Sequence, residues 1–296
     1  PGEYMRVYLD GDLYLEETVS IPTSTKIVAT PFTMGQIDTT SSGYTFNGYI
    51  DDVKLFSGAL AQEQIQAMVA EGITFVGHWP LDDGLTNPSS TTAVDVELSN
   101  DGTLEGFPTE PTWISGIIDG ALDFDGTDDS VSVPATIDLD ITGELTMATW
   151  INKQGANSNS RYGHLIGKNH TGGPSADSYY LKSQHSDVLT FGVTSGGANT
   201  ELTGTDPVPQ NQWHHVTAVF VPGESMTIYL DGKQYATLST GVPVSTAVTA
   251  TAFTMGQIDG QSTGYAFNGY LDDIRLYRKA LTQAEIVDLY LLSGLP

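Results

Sequence analysis

The sequence repeats itself over the length of a whole domain. Residues 1–72 align without a gap with residues 222–293, and about half of the paired positions are identical. This period is far longer than the roughly 20–50 residues of a solenoid or propeller repeat, so we expect copies of one globular fold. The alignment predicts one complete domain over residues 76–296. Residues 1–75 are expected to be the back part of a preceding copy.

Composition narrows the possible partners. The 36 acidic residues outnumber the 11 basic ones and give a net charge of −25 at pH 7. This charge repels phosphate backbones and anionic lipids, which argues against nucleic acid as a partner and against binding to an anionic membrane. The sequence has no cysteine, so disulfides and zinc–thiolate sites are excluded. It also has no apolar run of about 18 residues, so no membrane insertion is expected.

Short β-type segments separated by turn residues predict an all-β fold. Many of them alternate apolar and polar residues, as Ser130–Val133 and Leu145–Ile151 do, which is typical of strands with one buried face. The Asp231-Gly232 dipeptide lies between two such segments and predicts a hairpin. One helix is expected near the C-terminus, where Thr282 and Glu285 have the spacing of a capping box. The pattern predicts a β-sandwich with a short C-terminal helix.

Eight segments in order resemble the laminin-G-like, concanavalin-A-like jelly-roll family. They are Gly77–Gly84, Asn100–Leu104, Ala121–Gly126, Ala148–Ile151, Trp213–Thr217, Ile228–Gly232, Asn268–Tyr277 and Ala280–Ile286. The resemblance covers the complete unit, and residues 1–75 match its back part. It implies a two-sheet antiparallel sandwich, an extracellular or cell-surface location, and frequently a structural calcium ion.

The superfamily includes laminarinase-type glycoside hydrolases, whose catalytic strand carries the motif Glu-x-Asp-x-x-Glu. This chain lacks that motif. Retaining hydrolysis requires two carboxyl groups about 5 Å apart, and neither Thr146–Ile151 nor Tyr179–Lys182 carries an acidic pair. We therefore expect a protein that is not an enzyme.

Clustered aspartates predict a calcium site at the rim of the sandwich. Calcium prefers six to eight oxygen ligands from carboxylates, carbonyls and water. The resemblance points to Asp272 and its equivalent Asp51, with Asp82 and the Gly126 carbonyl completing the ligand shell. Further candidate ligands are Asp83, Asp129 and Asp273. The alternative is that these are turn aspartates that accept hydrogen bonds from nearby amides.

Aromatic and polar residues in the variable stretch are candidates for glycan binding. Sugar sites combine aromatic rings with amide, imidazole or carboxylate groups that bind hydroxyls. The candidates are Tyr162, His164, Tyr179, Tyr180, Gln184, His185 and Trp113. Tyr179 and Tyr180 are adjacent on a predicted strand and must face opposite ways, so at least one is expected in the core.

These observations favour a non-enzymatic, extracellular tandem array that serves adhesion or carbohydrate binding and is stabilised by Ca²⁺. The expected partner is a glycan or another component of the cell surface or matrix. The alternative is a structural subunit that self-associates into an extracellular fibre and binds no glycan. Further copies of the unit in a longer parent would fit either an adhesin or a fibre.

Overall fold

The computed structural model describes residues 5–9, 12–18, 59–62, 65–66, 75–106, 109–155, 162–170, 172–173, 176–259 and 264–294. The chain divides into two compact units, Pro1–Gly72 and Ile73–Pro296. Within the described residues, no helix combines the length and the apolar character needed to cross a membrane.

The described part of the first unit contains an antiparallel hairpin. Strand β1 (Met5–Leu9) pairs with β2 (Asp12–Glu17). Six large apolar side chains of this hairpin are exposed: Met5, Val7, Leu9, Leu13, Tyr14 and Leu15. The repeat aligns Met5 with Met226 and Val7 with Ile228, and both of those partners are fully buried in the second unit. The assignment of residues 1–75 to a preceding repeat stays a prediction.

The second unit contains sixteen strands in its described residues. They are β3 (Phe75–Trp79), β4 (Thr92–Ala93), β5 (Gly102–Glu105), β6 (Thr112–Ser115), β7 (Gly120–Asp125), β8 (Ser130–Val133), β9 (Leu145–Lys153), β10 (Gly163–Gly167), β11 (Tyr179–Ser183), β12 (Leu189–Ser195), β13 (Ala198–Thr203), β14 (His214–Val221), β15 (Ser225–Leu230), β16 (Lys233–Leu238), β17 (Phe253–Met255) and β18 (Asn268–Tyr277). Two α-helices accompany them, α1 (Asp83–Thr86) and α2 (Gln283–Leu291), with a 3-10 turn at Ile137–Leu139.

The strands form two antiparallel sheets. The front sheet has the order β13-β12-β11-β10-β17-β8-β5-β4. The back sheet has the order β16-β15-β14-β9-β18-β7-β6, with β3 also paired to β18. The predicted all-β, two-sheet jelly-roll sandwich with a short C-terminal helix is confirmed.

The core lies between the two sheets and follows from strand alternation. On β11, Tyr179 and Leu181 are fully buried in the main apolar cluster, so Tyr180 and Lys182 belong to the opposite face. Trp79 stacks on Phe253 with ring centroids 5.2 Å apart, which joins the two sheets. The indole N–H of Trp79 donates to a backbone carbonyl at 2.9 Å, as a buried donor must to avoid the cost of an unmade hydrogen bond.

The C-terminal helix covers the outer face of the back sheet. Its capping box is formed, since Thr282 Oγ1 accepts from the Glu285 amide at 3.3 Å and Glu285 Oε2 accepts from the Thr282 amide at 2.7 Å. Ile286 is fully buried and packs in a cluster with Val219 and Tyr277 of the sheet. The helix therefore encloses this face, while the outer face of the front sheet carries a polar cavity.

Candidate functional site: a polar pocket on the front sheet

Three neighbouring strands bring the pocket together. Tyr180 of β11 is in register with Gly192 of β12, and Gly192 is in register with Glu201 of β13. Side chains in register across antiparallel strands lie on the same face, so Tyr180 and Glu201 share the outer face of the front sheet. The intervening position, Gly192, has no side chain. Tyr180 and Glu201 are therefore separated by two strand spacings, about 9.6 Å.

Gly192 makes the contact across this distance possible. A Cβ atom at position 192 would lie 2.2 Å from Tyr180 Cζ, so the tyrosine ring occupies the space that any larger residue would need. The ring extends over β12, and its hydroxyl donates to Glu201 Oε1 at 2.7 Å. Asn199 Nδ2 donates to the same hydroxyl at 2.7 Å. The phenol is thus held from both sides.

Lys182 completes a charged network beside the phenol. Its ammonium donates to Glu201 Oε1 at 2.6 Å and lies 4.2 Å from the centroid of the Tyr162 ring. Tyr162 in turn packs against Tyr265, with ring centroids 4.9 Å apart. The two partly exposed rings and the ion pair therefore form one connected surface.

The surroundings shift the pKa values of the two carboxyl groups of the pocket, Glu201 and Asp177, in opposite directions. Burial raises the pKa of Glu201, but hydrogen bonds from Lys182 and Tyr180 outweigh this effect and hold it below its ordinary value. Burial raises the pKa of Asp177, although its Oδ1 accepts from the His170 amide at 2.8 Å. Burial and the contact with Glu201 also raise the pKa of the Tyr180 phenol. The phenol thus remains a neutral donor.

The cavity enclosed by these groups, the front-sheet pocket, has a volume of about 300 Å³. Its walls also include Asn169 and Ile258. Asn169 is only 4% exposed, and its Oδ1 is buried with no hydrogen-bond partner among the described residues. Buried polar atoms are nearly always paired in native proteins. The amide oxygen is therefore an acceptor that a bound hydroxyl could satisfy.

Two of the residues predicted to bind glycans meet in this pocket, namely Tyr162 and Tyr180. Its other polar members were not predicted, namely Lys182, Asn199, Glu201, Asp177, Asn169, His170 and Tyr265. Alternation along β11 places Lys182 beside Tyr180 on one face and could have identified it. The pairing of β12 with β13 joins Glu201 to the site, and the Gly196-Gly197 dipeptide between these strands, a two-residue hairpin turn, could have predicted that pairing.

Three of the predicted glycan-binding residues are corrected by the structure. His164 is fully buried, its Nε2 is 3.1 Å from the Thr254 carbonyl, and burial lowers its pKa to about 3. Tyr179 is fully buried and donates to the Leu139 carbonyl at 2.7 Å. Trp113 was a candidate sugar-binding residue, but its ring packs over Gly84 and against the core.

The remaining two predicted residues lie at the turn between β11 and β12. His185 is exposed and Gln184 is half-buried, with Gln184 Nε2 donating to Thr190 Oγ1 at 3.0 Å. Neither residue lines the front-sheet pocket.

The predicted calcium ligands do not converge on one site. Asp82 Oδ1 accepts from the Gly120 amide at 2.6 Å, at the start of β7. Gly126 and Asp129 lie beyond Asp125, the last residue of that strand. The strand is about 17 Å long at 3.3 Å per residue. The expectation that Asp82 and the Gly126 carbonyl share one ion with Asp272 is therefore wrong, because the two groups lie at opposite ends of β7.

Asp272 lies near the start of β7, on the same side as Asp82. Its Oδ2 accepts from the amides of Ile117 and Ile118 at 2.8 and 2.9 Å. Its Oδ1 is buried and has no hydrogen-bond partner among the described residues. Burial, followed by repulsion from Asp273 and Asp82, raises the pKa of Asp272 to about 8. A cation bound at Oδ1 would relieve both the desolvation and the repulsion.

Asp273 and Asp83 have other partners. Asp273 Oδ1 lies 2.7 Å from His78 Nε2 and 3.0 Å from Arg275 Nε. Burial raises the pKa of Asp273, but these two partners outweigh it and lower the pKa below its ordinary value. Asp83 Oδ2 accepts from the Val94 amide at 3.1 Å. Asp51 lies outside the described residues.

The second place is the turn that follows β7. Asp125, Asp128 and Asp129 can each offer one carboxylate oxygen, and these oxygens lie within 4.8 Å of one another. Gly126, with φ of +77°, shapes the turn. Burial raises the pKa of Asp129 to about 7, and repulsion from Asp125 and Asp128 adds to this rise. The donor set suits calcium, which prefers oxygen ligands.

Two antiparallel sheets enclosing one core, with a polar pocket on an outer face, define a concanavalin-A-like sandwich. A laminin G family model, described as the concanavalin A-like lectin/glucanases superfamily, matches residues 2–66 and 125–287. The chain belongs to this superfamily. The predicted laminin-G-like resemblance is confirmed, and the arrangement as tandem copies stays a prediction.

Solved structures share this fold at low sequence identity. Domain 4 of AbnA, an extracellular arabinanase from Geobacillus stearothermophilus, is similar at 18% identity and a TM-score of 0.55, over 73% of this chain and 98% of that domain. The binding domain of Paraclostridial Mosquitocidal Protein 1 matches at 13% identity and a TM-score of 0.56, over 74% of this chain and 52% of that domain. Trypanosoma rangeli sialidase matches at 14% identity and a TM-score of 0.54, over 75% of this chain and 33% of the sialidase chain. The chain thus spans about half of the toxin domain and a third of the sialidase. None of the curated proteins compared with this sequence matches it.

Proposed function

We propose that residues 76–296 form a carbohydrate-binding module that does not cleave its ligand, and that the front-sheet pocket holds the glycan. The observation that carries this proposal is a cavity walled by tyrosines and hydrogen-bonding groups, one of which, Asn169, has a buried side-chain Oδ1 without a partner among the described residues. A sugar hydroxyl supplies the missing donor, and the rings of Tyr162 and Tyr265 offer apolar surface to the sugar ring.

The polar groups of the pocket are held in place before a ligand arrives. Tyr180, Lys182 and Asn199 all converge on Glu201 or on each other through bonds of 2.6–2.7 Å. A rigid network loses little conformational entropy on binding, which improves affinity. The volume of about 300 Å³ lies at the small end of the range for ligand sites. It suits one or two sugar rings of a longer glycan.

The hydrogen bonds that the Glu201 carboxylate accepts favour binding over hydrolysis. Glu201 Oε1 accepts from both Lys182 and Tyr180, which weakens it as a nucleophile or base. The catalytic motif of the laminarinase-type hydrolases is missing from the sequence. Two of the similar structures belong to enzymes, the arabinanase and the sialidase, but identities below 20% indicate only a common fold. An assay for the release of new reducing ends from any bound glycan tests whether the protein hydrolyses its ligand.

The binding proposal is tested with a glycan array of the full chain, followed by calorimetry with Asn169→Leu. Removing an unpaired buried acceptor leaves folding stability nearly unchanged, so we expect a loss of binding of at least about tenfold with an unchanged melt. Asn100→Leu is the matched control, because Asn100 is equally buried but fully hydrogen-bonded. It should lower stability and keep the affinity. Retained binding by Asn169→Leu, or no glycan bound at all, would overturn the proposal.

Adhesion or glycan attachment outside the cell is the proposed setting. The similar arabinanase domain is described as extracellular and in complex with arabinotriose, and the similar toxin domain is a binding domain. An acidic, cysteine-free tandem array would present several such pockets to a cell surface or matrix. Weak single sites gain avidity when they are linked in this way.

We propose that calcium stabilises the second unit, with the turn Asp125–Asp129 as the first candidate site. Three carboxylates within ligand distance of each other support this position. The unpaired Oδ1 of Asp272 supports a second one. Terbium luminescence with Asp129→Asn and Asp272→Asn tests the two positions separately. If both variants keep wild-type luminescence, neither position holds the ion.

A fibre subunit is the second candidate function, and the exposed apolar hairpin β1–β2 favours it. Such a face, next to a strand edge, promotes association between chains. Light scattering of the full chain against Val7→Lys tests this reading. Concentration-dependent assembly that the lysine abolishes would support a fibre.

A further inference from the structure

Lys182 is the one lysine or arginine that lines the described part of the front-sheet pocket. Cationic side chains are the usual partners of carboxylated sugars, because they provide charge-assisted hydrogen bonds. The ammonium of Lys182 is already bound to Glu201 at 2.6 Å and is only 6% exposed as a residue. Its charge is therefore compensated before any ligand enters.

Apart from Lys182, the acidic and basic side chains that line the pocket are carboxylates, and the ring of His170, which also lines it, accepts a hydrogen bond at Nδ1 from the Gly172 amide at 2.8 Å. Asp177 lines the same cavity as Glu201, and the formal net charge of the whole chain is −25 at pH 7. A ligand carboxylate entering the pocket meets two acidic side chains and one paired cation. A hydroxyl in the same position meets acceptors at Asn169 and Glu201. The chemistry of the walls suits a hydrogen-bond donor without charge.

We propose that Glu201 is a specificity-determining residue, which neutralises Lys182 and restricts the pocket to uncharged sugars, excluding uronic and sialic acids. This inference rests on the proposed carbohydrate-binding function. Removing the negative charge at position 201 while keeping its shape frees the Lys182 ammonium. A variant of that kind gains affinity for carboxylated sugars.

The test uses the full chain and a matched pair of ligands, made from the neutral glycan selected on the array. One ligand is the glycan itself, and the other is the same glycan with its C6 hydroxymethyl groups oxidised to carboxylates. Wild type should bind the neutral ligand at least about tenfold more tightly, the factor that corresponds to 1.4 kcal/mol. Glu201→Gln keeps an acceptor oxygen for Tyr180 and should shift this ratio at least tenfold towards the carboxylated ligand.

Glu105→Gln is the control for net charge. It lies on β5 of the same sheet, six strands away from β13, and should leave the ratio of affinities unchanged. Lys182→Met is a second variant, which removes the cation and should give no affinity for the carboxylated ligand in either background. Binding of that ligand by Glu201→Gln should weaken with added salt.

The outcomes distinguish this inference from the proposed function. If wild type binds the neutral glycan but Glu201→Gln leaves the ratio of affinities unchanged, the role of Glu201 is refuted and carbohydrate binding stands. Equal binding of both ligands by wild type also refutes it. If no glycan binds to the folded wild-type chain, the proposed function and this inference both fail.

Discussion

Replacing Gly192 with alanine should disrupt the front-sheet pocket from beneath. The new Cβ would lie 2.2 Å from Tyr180 Cζ and 2.5 Å from its Oη, where ordinary contact begins at 3.4 Å. The ring must therefore withdraw by about 1.2 Å. A shift of that size stretches the hydrogen bonds of the hydroxyl to Glu201 and Asn199, which are both 2.7 Å long.

The magnitude follows from three contributions. Overpacking costs about 1–3 kcal/mol, and two weakened hydrogen bonds cost about 1 kcal/mol each. The reduced freedom of the unfolded chain returns about 0.4–1 kcal/mol. We expect the free energy of unfolding to fall by about 2–5 kcal/mol, with a loss of glycan affinity of at least about tenfold.

Urea unfolding measures this cost, and a double-mutant cycle assigns it to the ring. In a Tyr180→Ala background the clash is gone, so Gly192→Ala should be neutral or slightly stabilising. Gly143→Ala is the matched control, since a Cβ there meets nothing within 4 Å. A cost below about 0.5 kcal/mol, or equal costs in both backgrounds, would refute the reasoning that Gly192 exists to seat Tyr180.

Three further predictions concern the metal sites, the titration of Asp272 and the first unit. Chelation should lower the melting temperature of wild type, since a ligand that binds only the native state stabilises it, and Asp129→Asn should show a smaller chelator effect; identical effects would exclude the turn as the site. In chelator, the pKa of Asp272 rises from 3.8 to about 8 on folding, so the native state binds the extra proton and the free energy of unfolding should fall as pH rises from about 4 to 8. Asp272→Asn should flatten this part of the pH profile, and an unchanged profile would contradict the assigned pKa. Residues 1–75 expressed alone should not form a cooperatively folding monomer, because the apolar side chains of β1 and β2 are exposed; a sharp two-state melt of a monomer in ultracentrifugation would contradict the predicted domain boundary.

Local pattern was sufficient for the fold and for part of the pocket. The alternation around Tyr179 and Tyr180 predicted that one faces the core, because successive side chains on any strand point to opposite faces. The capping box at Thr282 and Glu285 was likewise predictable, since its two hydrogen bonds span only three residues. Motif order was enough to recognise the sandwich.

Local pattern was insufficient wherever distant segments meet. Asp82 and Gly126 were expected at one ion, but β7 separates them by its full length. Trp113 was a glycan-binding candidate, but it covers Gly84, whose missing side chain leaves room for the indole. These contacts depend on how strands and loops pack, and the spacing of residues along the chain does not predict that packing.

By itself, the sequence determined the repeat, the all-β character, the acidic charge and the opposite orientation of Tyr179 and Tyr180. Only the tertiary structure decided that Gly192 separates Tyr180 from Glu201, that Lys182 is neutralised there, and that Asn169 lines the cavity with its side-chain Oδ1 unpaired among the described residues. The physical reason is the sequence separation between the residues that interact. Strand alternation and helix capping are set by neighbours in sequence, whereas strand order and register are set by the collective packing of two sheets around one core.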